Sequence, residues 1–369
     1  MAEQEGTALP LGQGPRATRR RPRALPRALL AGVVTLLALE GCARLAARAL
    51  HRERGQLFDS ELGWRPAPDL RKRGEFWGRA AIAFTNSRGW RDDEAAFARR
   101  PGVRRIVAVG DSFTFGIAVD HGERFTELLE RSLPRLEVIN LGVNAYGTDQ
   151  ELRALEVEGL RYGPDLVLLQ ACLVNDLDDI CHRRRFGWPR PHYELRDGRL
   201  SLNPPRATWD VSLRTRSYLG ELLLRGRDRL DPLRRDQRTG RTDAVPLFVA
   251  LVRRVDEVSR GRGARLLVAM IGATPIPGDR GRIHAGLEAA GIEFVDLDAE
   301  LAPYAARSEV LYEGKHWNPA GHQRVAEILA GELQRRGLLP VHPARARAGI
   351  SAGRLQTARE ALTAPAAPR

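Results

Sequence analysis

Short apolar runs alternate with patterns of helical period between residues 104 and 339. Five runs have the length and composition of buried strands, and they lie at 106–109, 137–141, 165–170, 265–271 and 292–296. Four stretches of helical period lie at 125–133, 149–160, 245–259 and 319–336. This alternation predicts an α/β fold in which a parallel five-stranded sheet lies between two layers of helices.

Two of the predicted helices carry start signals. Thr148 is suited to the N-cap, and Glu151 three residues later completes the pattern of a capping box. Pro319 is suited to the first helical position, where a missing backbone N–H costs nothing. These signals predict helix starts close to residues 148 and 319.

An apolar segment near the N-terminus predicts membrane association. Its uninterrupted run covers 28–39, and its flanks up to residue 43 extend it to a length that can span a bilayer. More arginines precede it (Arg16, Arg19, Arg20, Arg21, Arg23 and Arg27) than follow it (Arg44, Arg48, Arg52 and Arg54). This bias favours a cytoplasmic N-terminus, so we expect a single-pass signal anchor at 25–43 in a bacterial inner membrane, with the α/β domain in the periplasm.

The same segment allows a second interpretation. Leu39-Glu40-Gly41-Cys42 resembles a bacterial lipobox, in which Cys42 would be the acylated residue, although Glu40 fits that pattern poorly. A lipoprotein is therefore the alternative to the signal anchor.

The remaining segments differ in composition from the α/β domain at 104–339. Residues 1–24 are basic and rich in proline and glycine, and 340–369 are rich in alanine, arginine and proline, so both are predicted to be disordered. Residues 52–103 lack a clear period and are expected to form irregular strands packed on the domain. An insertion at 182–243 either covers the carboxyl edge of the sheet or lies in solvent. Within it, 193–202 alternates around an Asp-Gly pair, which predicts a hairpin.

The positive charge does not indicate a nucleic-acid partner. The formal net charge is +13, but only Lys72 and Lys315 among the 59 basic residues are lysine, and the arginines are scattered among acids. No zinc-finger, RRM or aromatic stacking pattern accompanies them. Three cysteines, Cys42, Cys172 and Cys181, are too few for a disulfide framework, and a Cys172–Cys181 bridge is left open.

The first candidate for chemistry follows the first strand of the domain. Gly110-Asp111-Ser112 comes directly after the run at 106–109, and Gly110 allows a tight turn there. A serine at this point lies at the carboxyl edge of the sheet, where open α/β sheets bind their ligands. Ser112 is therefore a candidate nucleophile.

A histidine with a nearby acid follows the last strand. Glu313 precedes His316 by three residues in a loop at the same sheet edge, so its carboxylate could hold one imidazole nitrogen. The other nitrogen could then take a proton from a serine. Two further loops converge on this edge if the second and third strands flank the first. Asn175 could donate its amide to an oxyanion, and the turn at 140–147 could aim a backbone N–H.

With these four blocks in order, the chain resembles the SGNH (GDSL) hydrolase family over roughly residues 104–337. The resemblance implies a flavodoxin-like three-layer α/β/α fold and ester hydrolysis through an acyl-enzyme, with no cofactor and no metal. It implies Ser112 as nucleophile, His316 as base, and oxyanion donors from the Ser112 amide, Asn175 and a second-block amide.

Two positions depart from the family pattern. The second block has Ala145 where glycine is usual, with Gly142 and Gly147 nearby; a backbone donor tolerates alanine there if its φ is negative, so the role is kept and its exact position is left open. The acid before the histidine is Glu313 instead of aspartate, so it either orients His316 or leaves that role to another carboxylate.

These features lead to one hypothesis and two alternatives. We expect a membrane-anchored serine esterase that cleaves O-acyl esters, chiefly O-acetyl esters, of carbohydrate or small molecules. The first alternative is a polysaccharide O-acyltransferase that uses the same Ser/His site. The second is a non-catalytic carbohydrate-binding module on a degenerate SGNH fold. The sequence indicates no oligomeric state.

Overall fold

The computed structural model describes residues 24–49, 55–76, 79–232, 236–239 and 243–338. The predicted disordered ends, 1–24 and 340–369, lie outside these residues except for Ala24. The chain divides into two compact units. One combines the N-terminal helix with Thr208–Asp231, and the other contains the rest of the described chain.

Eleven α-helices occur within these ranges. They are α1 (Ala24–Ala49), α2 (Ser112–Phe115), α3 (Phe125–Ser132), α4 (Thr148–Val157), α5 (Leu173–Asp179), α6 (Trp209–Arg216), α7 (Tyr218–Leu230), α8 (Val245–Arg260), α9 (Asp279–Ala289), α10 (Leu297–Ala305) and α11 (Pro319–Arg335). Two 3₁₀ helices cover His121–Glu123 and Gly159–Tyr162.

The strands fall into one central sheet and several small antiparallel groups. They are β1 (Gln56–Asp59), β2 (Gly63–Pro66), β3 (Arg71–Phe76), β4 (Arg79–Phe84), β5 (Arg104–Gly110), β6 (Leu136–Asn140), β7 (Leu166–Cys172), β8 (His182–Arg185), β9 (Trp188–Pro189), β10 (His192–Arg196), β11 (Arg199–Asn203), β12 (Gln237–Arg238), β13 (Arg265–Ile271), β14 (Glu293–Asp296), β15 (Tyr312–Glu313) and β16 (His316–Trp317).

The central sheet confirms the predicted fold class. Its five strands are parallel and lie in the order β14-β13-β7-β5-β6. The second and third strands of the domain, β6 and β7, thus flank the first, β5. This is the flavodoxin-like order, and its reversal beside β5 places a crevice at the carboxyl ends of β5, β6 and β7.

Helices cover both faces of the sheet. Alternate residues of β5 face opposite sides, so Ile106 and Ala108 join one core cluster, in which Phe125 of α3 and Leu329 of α11 also lie. Helices α3 and α11 contact each other on that side, while α4, α8 and α9 form a second contiguous layer. The three inner strands β5, β7 and β13 are buried on both faces, which explains their continuous apolar runs.

Several local predictions can be compared with the structure. The hairpin in the insertion is confirmed, because β10 pairs with β11 around Asp197 and Gly198, both at positive φ. The region 52–103 is more regular than expected, since β1–β2 and β3–β4 are antiparallel pairs in continuous register. Cys172 and Cys181 are both free thiols, so the bridge that the sequence left open is not formed.

The capping box at Thr148 was a wrong prediction. Gly147 occupies the N-cap of α4, and Thr148 is the first helical residue. Its hydroxyl donates instead to Asp176 Oδ2 at 3.2 Å. The Thr148 side chain thus makes a tertiary hydrogen bond and not the N-cap hydrogen bond that the local sequence predicted. The prediction at Pro319 is confirmed: it lies in the first turn of α11, and the side chain of Asn318 caps the helix by accepting from the Gly321 N–H.

Candidate active site

Ser112 lies at the point where β5 ends and the chain turns into α2. The Asp111 carboxylate caps this short helix by accepting from the Phe113 N–H at 2.9 Å. Gly110 is required just before it, because a Cβ there would lie 2.2 Å from Thr114 Oγ1. The turn therefore holds Ser112, which is 4% exposed, at the carboxyl edge of the sheet.

His316 contacts Ser112 across 204 positions of sequence. Its Nε2 lies 2.7 Å from Ser112 Oγ. The Phe113 ring lies 5.0 Å from the imidazole and 4.6 Å from the Trp317 ring, centroid to centroid, so aromatic packing fixes the orientation of the histidine. The structure thus brings together the serine and the histidine that were predicted from opposite ends of the domain.

The surroundings of His316 favour a neutral imidazole. Burial, and next to it the Lys315 ammonium, lower the pKa of His316 to about 4. At neutral pH the ring is therefore unprotonated. This is the form that can accept the serine proton, so the Ser112–His316 pair has both the geometry and the protonation state of a nucleophile with its general base.

Glu313 lies directly opposite His316. Strands β15 and β16 form a two-residue antiparallel ladder in which Glu313 pairs with His316 and Tyr312 with Trp317. Opposed residues of such a ladder project from the same face, with their Cβ atoms about 5 Å apart. The predicted loop is therefore an ordered hairpin in which Glu313 and His316 are paired across the ladder; the role of Glu313 as the triad acid remains a prediction.

Asn175 lies beside the nucleophile in the first turn of α5. Its Nδ2 donates to Asp111 Oδ2 at 3.2 Å, and the same carboxylate oxygen lies 3.5 Å from Ser112 Oγ. Burial raises the pKa of Asp111 to about 6, although hydrogen bonds from the Phe113 amide and Asn175 oppose that rise. Asp111 therefore links the predicted oxyanion residue to the nucleophile, a contact that sequence reasoning missed.

The second-block turn differs from the expectation in its backbone. The condition under which alanine was expected to be tolerated there, a negative φ, is not met, because the φ of Ala145 is 66°. Ala145 is the third residue of a turn closed by the Tyr146 N–H and the Val143 carbonyl oxygen at 3.1 Å, and a positive φ at that point of a turn favours glycine. Gly142 packs directly against the nucleophile helix, since a Cβ there would lie 2.6 Å from the Phe115 nitrogen. The choice between the Ala145 and Gly147 amides stays a prediction.

Two buried arginines support the site and were not singled out from the sequence. The Arg91 guanidinium donates to the carbonyl oxygens of Phe115, Gly116 and Val119, at the end of the nucleophile helix and just beyond it. Arg190, from the insertion, donates to the Ala145 carbonyl at 3.3 Å and to Asp149 Oδ1 at 2.6 Å. Each fixes a loop of the site through charge-assisted hydrogen bonds.

Behind Asn175 lie buried carboxyl groups. Asp176 accepts from the Cys172 N–H at 3.1 Å and from Thr148, which fixes the start of α5. Neither carboxyl oxygen of Glu151 has a hydrogen-bond partner among the described residues, and burial followed by the Asp176 charge raises the pKa of Glu151 well above its usual range. A protonated Glu151 is therefore the form that the interior accommodates.

One group of side chains has ligand types suited to a cation. Asp178, Asp179 and His182 bring one possible ligand atom each within 4.8 Å of one another. Arg185, however, pairs with both carboxylates at 3.1 Å. Their charge is thus already compensated by an arginine, and we assign no metal to this group.

The chain is similar to known proteins only at the level of solved structures. No protein-family model matches the chain, and no curated protein matches it. A lipase/acylhydrolase from Enterococcus faecalis is similar, at 18% identity and a TM-score of 0.39, over 66% of this chain and 100% of that one. A member of the lipolytic G-D-S-L family from Veillonella parvula is 13% identical with a TM-score of 0.39, over 63% and 100%. The psychrotrophic esterase EstA from Pseudoalteromonas sp. is 14% identical with a TM-score of 0.37, over 62% and 97%.

Proposed function

We propose that the chain is a serine esterase of the SGNH (GDSL) type, which cleaves O-acyl esters, chiefly O-acetyl esters, of carbohydrate or small molecules. The 2.7 Å contact between Ser112 Oγ and His316 Nε2 carries this proposal. It joins a serine at the carboxyl edge of the sheet to a neutral imidazole, the pair that acyl transfer requires.

The reaction proceeds in two halves. Ser112 Oγ attacks the ester carbonyl while His316 Nε2 takes its proton; the tetrahedral intermediate then collapses, and His316 returns the proton to the leaving alcohol. In the second half, water attacks the acyl-enzyme while His316 takes a proton from that water; the second tetrahedral intermediate then collapses, His316 returns the proton to Ser112 Oγ, and the carboxylic acid leaves. Glu313, across the ladder from His316, orients the ring and stabilises the imidazolium.

Asn175 supplies part of the oxyanion hole. Its amide nitrogen carries two hydrogens, of which one is used by Asp111, so the second is available to the substrate oxygen when that oxygen becomes anionic. The Ser112 N–H and one second-block amide, Ala145 or Gly147, complete the set. Because Asp111 holds Asn175 in place before substrate binds, little reorganisation is needed in the transition state.

The test is an activity screen on acetylated glycans and short-chain aryl esters. We expect hydrolysis that persists in the presence of a chelator, together with covalent labelling of Ser112 by a serine-directed phosphonate. Product analysis separates free acid, expected for an esterase, from an acylated acceptor, expected for a transferase. Absence of both turnover and labelling would support the non-catalytic alternative and contradict the proposal.

We infer that helix α1 is the membrane anchor. Its segment Arg27–Arg48 is 22 residues long and contains an 18-residue window with a mean hydropathy of 1.7, so by length and composition it can cross a bilayer. Glu40 of this helix accepts hydrogen bonds from Ser217 and from two backbone amides of α7. Cleavage before Cys42 would remove Glu40 and break these contacts, which favours a retained signal anchor over a lipoprotein.

The proposed topology places the catalytic domain outside the cytoplasm of a bacterium. A reporter that is active only in the periplasm, fused after residue 369, should therefore be active, because the arginines before α1 hold the N-terminus inside. A fusion truncated to remove 1–49 is the matched control and should lose that activity. Activity of a cytoplasm-specific reporter at the same fusion point would reverse the orientation, and acylation of Cys42 detected by mass would indicate the lipoprotein.

A further inference from the structure

Helix α7 has an apolar face that no described residue covers. Leu222, Leu223 and Leu230, the leucine stripe, are 66%, 63% and 88% exposed. With 3.6 residues per turn, these positions lie on one face of the helix, together with Gly226. The opposite face packs against α6, where Leu224 is buried. Such exposure is unusual for three large apolar side chains on one surface helix, and it indicates that the leucine stripe is a contact surface for a partner.

Arginines border the leucine stripe on both sides. At about 100° per residue, Arg225 and Arg229 lie along one side of the stripe, and Arg227 lies along the other side. Trp209 of α6 continues the apolar surface: it is 66% exposed, and the Arg227 guanidinium lies 5.9 Å from its ring. An apolar face with tryptophan at its edge and arginines beside it suits the boundary between acyl chains and phosphate headgroups.

Glu40 connects this hairpin to the apolar helix α1. Its carboxylate accepts from Ser217 Oγ at 2.7 Å and from the Tyr218 and Leu219 amides at 2.9 and 3.0 Å, so it caps the N-terminus of α7. Arg44, one turn further along α1, pairs with Glu40 and donates to the Arg216 carbonyl. Helix α7 therefore begins at the level where the apolar run of α1 ends.

We propose that α1 and the α6–α7 hairpin form one membrane-binding unit, in which Glu40 holds the hairpin so that its leucine stripe enters the headgroup region of an anionic phospholipid bilayer. The position of the Glu40 contact favours a bilayer over another protein chain as the partner of the stripe. Glu40 directly follows the apolar run of α1, so a helix that begins beside Glu40 begins at the membrane–water interface. The apolar run at 28–39 is about 18 Å long, short of the roughly 30 Å hydrocarbon core, and the hairpin adds apolar contact at that end.

Spin labels on the full-length chain test this placement. Labels are attached at Leu222→Cys, Leu223→Cys and Leu230→Cys in a Cys42→Ser background, since Cys172 and Cys181 are buried. The protein is reconstituted in vesicles of phosphatidylcholine and phosphatidylglycerol. We expect the ratio of oxygen to nickel-chelate accessibility to be severalfold higher at these three positions than at Arg225→Cys, the control on the same helix.

Two results would overturn the placement. Equal, high nickel accessibility at Leu223→Cys and Arg225→Cys would put the stripe in water. Low accessibility to both reagents, with dipolar broadening between labels on different molecules, would show that a second copy of the chain covers it instead.

The Glu40 contact is tested by its removal. In the Glu40→Ala background the accessibility contrast between Leu223→Cys and Arg225→Cys should fall severalfold while the chain stays in the vesicle fraction. Glu40→Gln keeps one acceptor oxygen and should lose less. An unchanged contrast in Glu40→Ala would contradict the role given to Glu40.

Discussion

Replacing Ser112 with alanine is expected to abolish ester hydrolysis almost completely. The substitution removes the nucleophile and leaves His316 with no proton to accept, so the two residues fail as a unit. We expect turnover to fall by about four orders of magnitude or more, with the residual rate due to binding and oxyanion contacts alone. Initial rates on a short-chain aryl ester, measured with excess chelator, provide the readout.

The matched control is Ser201→Ala. Ser201 is an exposed serine on β11, far in sequence from the site, and its loss should leave turnover unchanged. Ser112 is nearly buried, so the stability of Ser112→Ala must be compared by thermal unfolding, and the fold should survive the loss of one oxygen. Full activity in Ser112→Ala, or loss of wild-type activity on adding chelator alone, would show that another group performs the chemistry.

The sheet could be predicted from sequence because its signal is local and repeated. Each central strand is an apolar run, and a run buried on both faces needs no tertiary information to be found. The Ser112–His316 contact followed from topology, since both residues come after strands whose carboxyl ends share one edge. The backbone conformation within each loop could not be predicted from the order of the strands, as the positive φ of Ala145 shows.

The supporting contacts could not be predicted because they are long-range and unpatterned. Arg91 and Arg190 reach carbonyls 24 or more positions away, and nothing local separates them from the other arginines of an arginine-rich chain. The same holds for Glu40, which was considered only as a poor lipobox residue and instead caps a helix 177 positions away. A polar side chain that hydrogen-bonds to a distant backbone group produces no periodic pattern in the sequence, so such a contact cannot be predicted from periodicity.

Asn175→Ala should lower turnover by roughly a hundredfold to a thousandfold while leaving substrate affinity nearly unchanged. The amide meets an oxygen that becomes charged only during reaction, and losing one such donor typically costs about 2.7–4 kcal/mol of barrier. The loss should therefore appear in kcat and not in KM. Asn203→Ala, at an exposed amide on β11, is the control. A kinetically silent Asn175→Ala would remove Asn175 from the oxyanion hole.

Glu313→Gln is expected to cost less than Asn175→Ala under the same conditions. Glu313 acts only through His316, and it is partly exposed on a two-residue ladder, so water can share its role in stabilising the imidazolium. A buried triad aspartate lacks that substitute, and its conversion to an amide costs about 10⁴ in turnover. Because burial already keeps His316 neutral, the resting base does not depend on the acid. If Glu313→Gln instead loses more turnover than Asn175→Ala, the Glu313 carboxylate must be held against His316 during catalysis as tightly as a buried triad acid.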